Sequence, residues 1–170
     1  CPTHLIYLDH LNHAFPDAGF VMTHREPYEV MLSVIDVYCD IASKFTDRID
    51  THYLAELNLE NWSVGMQRAL AFRAAADNNA RFYDIDFRAM HNDPVAEVRG
   101  LYQWLGESVS EEFEIGMTRW WQENSENRDP DTHRDPTAYG VDINRVRTLF
   151  AEYSARMATW TDRRKAPHGN

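Results

Sequence analysis

From Thr3 to Phe15 the apolar residues Leu5, Leu8, Leu11 and Phe15 recur every three or four positions. That spacing predicts a helix with one apolar face, Thr3 as its N-cap and His4 in its first turn. A turn at Pro16-Asp17 follows, then Phe20-Val21-Met22, an apolar run of the length of a buried strand ending near Thr23. After His24-Arg25 a long helix starts at Glu26-Pro27 and runs to about Phe45; proline suits a first helical turn, where its missing N–H would lack a partner anyway. This helix is apolar over most of its circumference, with Glu29, Ser33, Asp36, Asp40 and Lys44 as its polar stripe. Such widths predict burial between a sheet and other helices.

Residues 46–61 are mixed and predict irregular chain with a helical turn at Tyr53 to Leu57. Trp62, Met66, Leu70 and Ala74 mark one face of a helix from Trp62 to Asn78. Arg81 to Phe87 alternates, Tyr83 and Ile85 against Asp84 and Asp86, and predicts a second strand. Asp93 caps the next helix, Pro94 opens it and Gly106 stops it. Ser110 opens another that carries Met117, Trp120 and Trp121, and a surface loop spans Asn124 to Pro136. A last helix runs from near Asp142 to about Trp160. Two strands among many helices predict an α/β domain with a short parallel sheet. Two strands are few for such a sheet, so others lie upstream or hide in the intervening segments.

The length of 170 residues suits one domain. The net charge of −10, from 17 basic and 27 acidic side chains, argues against general binding to nucleic acid or membrane surfaces but leaves room for a local basic pocket. Of the basic residues 15 are arginine and two are lysine, Lys44 and Lys165, a skew that suits two-pronged oxyanion recognition. Cys1 and Cys39 form no ligand motif and demand no disulfide, so a reducing, cytoplasmic compartment is expected. No apolar run reaches the ~18–20 residues of a membrane span, and no signal-peptide pattern opens the chain. The abrupt opening at Cys1-Pro2 reads as a start inside a domain.

Arg25 is expected where a strand hands over to a helix, an edge at which open α/β sheets bind ligands. A guanidinium beside a helix N-terminus suits a phosphate or sulfate. Ser33 lies eight residues on, ~12 Å of axial rise at most, which a long side chain and a ligand phosphate could span. The plainer alternative is an arginine capping a strand end and a serine on a solvated stripe. His4, at a helix start, suits a neutral general base; the alternative is an exposed turn histidine. His10 and His13 have a spacing found among metal ligands but no third ligand, so an exposed face is expected and no metal is assigned. Asp84 and Asp86 would share a strand face, as a carboxylate pair or as a solvent side. Trp120 and Trp121 either line a pocket or pack. Arg128, His133 and Arg134 form a basic cluster that could close on a phosphate or pair with neighbouring aspartates. The seven glycines are scattered and form no phosphate-cradling loop.

Together these residues resemble a sulfotransferase of the bacterial-type branch that uses 3′-phosphoadenosine 5′-phosphosulfate. Pro2-Thr3-His4-Leu5 resembles the family's Lys-x-Pro-x-His-Leu segment. Phe15-Pro16-Asp17-Ala18, Phe20-Val21, His24-Arg25-x-Pro27 and Ser33 resemble its block for the donor's 3′-phosphate. Phe82 to Phe87, Asp93-Pro94 and Trp104-Leu105-Gly106 resemble the following strand and helix, and the Arg128 to Gly140 loop resembles the segment that closes over the nucleotide. The resemblance implies a partial P-loop-like fold at residues 1–162, lacking the upstream Gly-rich loop and first strand, with a frayed tail at 163–170. It implies that Arg25 and Ser33 hold the 3′-phosphate, that His4 takes the acceptor's proton, and that Arg128, His133 and Arg134 contact nucleotide phosphates. The implied partners are a small-molecule acceptor and a second copy or a complementing chain over the missing strand. Ala89 stands where an acidic residue is common. A non-catalytic interaction module on the same remnant fold is the other reading; a nucleotide kinase-like one is weakened by the missing loop.

Overall fold

The computed structural model describes residues 2–75, 78–124 and 139–163. Among the described residues two parallel strands, β1 (Phe20–His24) and β2 (Phe82–Asp86), form a two-stranded sheet with eight α-helices. The helices are α1 (Leu8–Ala14), α2 (Pro27–Ser43), α3 (Thr51–Ala74), α4 (Phe87–Asn92), α5 (Pro94–Trp104), α6 (Glu111–Asn124), α7 (Ile143–Leu149) and α8 (Ala151–Arg163). The described residues fall into two compact units, 2–20, 25–75, 78–82 and 139–163 in the first and 21–24 with 83–124 in the second.

In the first unit α2 and α3 build the core. Leu32, Ile35 and Cys39 of α2 pack with Ala55 of α3 and Tyr139. Met31 packs with Leu59, Val146 and Phe150. The hydroxyl of Tyr139 donates to Asp36. At the other end of α3, Phe20 stacks on Phe82 at 5.0 Å, and the guanidinium of Arg73 lies 3.5 Å from the Trp160 ring centroid and 4.2 Å from that of Phe82. Only half of the apolar girth of α2 is covered, for Val37 and Ile41 are 53% and 54% exposed.

Three elements depart from the expected pattern. The chain between Asp50 and Ala74 is one continuous 24-residue helix, not irregular to Asn61. Asp50 caps it by accepting from the Tyr53 amide at 2.9 Å. Its buried face includes Asn58, Ser63 and Arg73, which blurs any apolar periodicity. Each is satisfied locally: Asn58 donates to the Leu54 carbonyl, Ser63 to that of Glu60, and Arg73 to Asn79. The first helix begins as a 3-10 segment, Pro2–Tyr7, before α1. The last helix is two, broken at Phe150.

In the second unit the caps fall where the side chains predict. Asp93 accepts from the Ala96 amide at 3.0 Å, Ser110 from that of Phe113 at 3.2 Å, and Gly106 takes a φ of 77° at the end of α5. A side chain is strained in that left-handed conformation. Arg99 of α5 grips Glu114 of α6 with two hydrogen bonds, 2.8 and 2.9 Å.

Candidate functional site

The candidate site starts where β1 gives way to α2. Glu26 is the N-cap residue of α2, at φ −54° and ψ 122°, but its side chain caps nothing. Its carbonyl accepts from the Val30 amide at 3.1 Å, which closes the first turn. Pro27, at the first helical position, has no N–H, so the amides of Tyr28 and Glu29 form the positive end of the helix.

Arg25 arches over this start. Its Nε–H donates to Glu29 Oε2 at 3.0 Å, and the two side chains are 24% and 39% exposed. Ser33 lies one further turn along α2, half-buried. Glu29 and Ser33 thus follow one another on one face of α2, and Arg25 stands four residues before Glu29, just ahead of the helix. Glu29 as the arginine's partner is what the reading of the polar stripe missed; the i, i+4 spacing was the available signal. An exposed pair of this kind adds little stability and chiefly orients the guanidinium.

His4 stands on a separate element, the exposed 3-10 segment Pro2–Tyr7, and its ring makes no hydrogen bond or ion pair with the described residues. That segment is seated on α3 through Gly65, where an added Cβ would lie 2.8 Å from Ile6 Cγ1. Ser33 thus lies on α2 and Arg25 two residues before its first residue, while the segment that carries His4 is seated on α3. Arg128, His133 and Arg134 lie outside the described residues.

The other candidates resolve into structural roles. Asp84 accepts a proton-mediated contact from buried His24, Nε2 to Oδ1 2.7 Å, and so fixes the residue that precedes Arg25. Asp86 caps α4 by accepting from the Arg88 amide at 2.8 Å. The two carboxylates have separate hydrogen-bond partners. His10 bonds the adjacent Asp9, whose carboxyl it holds below the usual range through that hydrogen bond. Among the described residues no three His, Cys, Asp or Glu side chains cluster as metal ligands. Trp120 and Trp121 line a cavity in the second unit.

A strand, an arginine at its end and a helix that starts two residues later without a side-chain cap make a strand-to-helix junction of an α/β protein. Comparison with known proteins then gives the family. The model of the sulfotransferase family matches residues 1–111, and the chain belongs to that family. Its fold is similar to that of sulfotransferase STF9 from Mycobacterium avium, with a TM-score of 0.78 and 24% identity over 90% of this chain and 39% of that one. It is also similar to sulfotransferase STF1 from Mycobacterium tuberculosis H37Rv, with a TM-score of 0.66 and 29% identity over 89% of this chain and 38% of that one. The chain thus spans under two fifths of the length of these solved structures. No curated protein matches it. No described helix is long and apolar enough to cross a membrane.

Proposed function

We propose that this chain serves the transfer of a sulfuryl group from 3′-phosphoadenosine 5′-phosphosulfate to an acceptor hydroxyl or amine, and that Arg25 and Ser33 hold the donor's 3′-phosphate. One observation carries the reading: a part-buried guanidinium is held by Glu29 just before a helix start that has no side-chain cap, with a hydroxyl in the second turn of that helix. The donor set fits a phosphate, since guanidinium, helix amides and a hydroxyl are all hydrogen-bond donors to oxyanions.

In this reading His4 takes the proton of the acceptor. The acceptor's oxygen or nitrogen bonds to sulfur as the bond from sulfur to the 5′-phosphate oxygen breaks, and adenosine 3′,5′-bisphosphate leaves with that electron pair. His4 needs no partner on its ring to act so, and its exposed position leaves it open to an acceptor. Arg128, His133 and Arg134 are proposed to contact the nucleotide phosphates, where positioning and charge stabilisation contribute most of the rate gain. The acceptor is a small molecule, as the resemblance implies, and the compartment the cytoplasm, as the cysteine usage suggests.

Calorimetric titration with adenosine 3′,5′-bisphosphate tests the reading on this chain and on its Arg25→Ala variant. The expected result is measurable affinity for the first and a loss of about 2 kcal/mol or more for the second, the size of a charge-assisted contact. Equal heats would remove Arg25 from the donor site.

A further inference from the structure

The second unit holds a cavity of about 690 Å³ walled by α4, the start of α5 and α6. Its volume lies within the ~300–1,000 Å³ of small-molecule sites. Phe87 and Met90 of α4 face Met117, Trp120 and Trp121 of α6 across it. His91 is the one titratable residue in the lining, and its ring meets Trp121 edge-on, 5.6 Å between centroids and 80° between planes. Along α6 the apolar lining is short, bounded by exposed Glu111 and Glu112 before it and exposed Glu123 after it. That suits a compact ligand better than a docked helix, which would need apolar contact over several turns.

Gly116 is the second observation. It sits near the middle of α6, where glycine is the poorest helix former after proline. Its φ is not positive, and an added Cβ would meet no heavy atom within 4 Å. Neither backbone conformation nor packing therefore asks for glycine there. Gly116 is exposed and lines the cavity, which is open to solvent along Phe87, Phe113 and Trp120, so the missing side chain leaves open space at its wall.

We propose that this cavity binds an uncharged, ring-bearing apolar small molecule, stacked on the indoles of Trp120 and Trp121 over the gap left by Gly116. Aromatic walls and methionine sulfurs favour flat rings, and no carboxylate or guanidinium lines the cavity to receive a charge. The proposal is independent of the sulfuryl-transfer reading.

Titration of the chain with N-phenyl-1-naphthylamine, an uncharged three-ring probe, tests it. The expected result is saturable one-to-one binding, seen as a gain in probe emission with energy transfer from tryptophan. Gly116→Leu fills the gap and is expected to weaken binding at least about tenfold while the melting temperature stays level or rises. Trp121→Ala is expected to weaken it by about threefold or more. Unchanged probe affinity in Gly116→Leu would overturn the proposal. So would probe binding that never saturates, or a concentration-dependent dimer that Gly116→Leu abolishes, which would make this face a contact between copies.

Discussion

Arg25 does not stand alone at the head of α2; its Nε–H is bonded to Glu29, 3.0 Å away and one turn along. A carboxylate therefore sits between the guanidinium and Ser33. It orients the arginine, and in the proposed donor site it would repel the phosphate. Glu29→Gln keeps an acceptor for the Nε–H and removes the charge. The expected outcome is an affinity for adenosine 3′,5′-bisphosphate about two- to fivefold higher, with the gain shrinking at high salt. Calorimetry at two ionic strengths measures it, and weaker binding would mean that the charge is needed to hold Arg25.

His24 is buried with its side chain at 0% exposure, and Asp84 is its partner at 2.7 Å across 60 residues of chain. Asp84→Ala removes the carboxylate bonded to a buried ring nitrogen and should cost about 1–3 kcal/mol. Asp84→Asn retains a polar partner and should cost less. Urea denaturation of both variants gives the ordering, and equal midpoints would show that the hydrogen bond adds nothing.

Gly65 brings α3 against the 3-10 segment that carries His4. Alanine there gains helix propensity of about 1 kcal/mol but sets a methyl 2.8 Å from Ile6 Cγ1. Overpacking of this kind costs about 1–3 kcal/mol, so a net loss of stability is expected. Ile6→Ala in the same chain should recover part of that loss, giving a coupling energy measurable in a double-mutant cycle.

Hydrogen bonds from Arg99 hold the Glu114 carboxyl below the usual glutamate range. A folded-state value below the unfolded one stabilises the fold at pH above the unfolded value, and that contribution is lost as pH falls through the folded value. Glu114→Gln should therefore leave a shallower acid limb in a plot of melting temperature against pH. Part of the limb should persist, because Glu112 is also held low, by its own backbone amide and by Ser110. The effect is small, as both groups lie at the surface.

Local chemistry was legible along the chain. Proline fixes φ and removes a donor, aspartate caps and glycine permits a positive φ within a few residues of where they stand. So the starts at Pro27, Pro94 and Asp142 and the stop at Gly106 follow from the residues themselves. The placing of Arg25 between a strand and a helix follows in the same way. The unbroken α3 did not, because its buried face contains Asn58, Ser63 and Arg73, which are tolerated only where the folded chain supplies partners such as Asn79 and Trp160. The sequence by itself determined both strands, the helix starts marked by proline and aspartate, the stop at Gly106 and the arginine at the junction. Only the tertiary structure decided that Asp84 belongs to His24 and that α4 and α6 line an open cavity, since contacts between residues far apart depend on how the crossover returns.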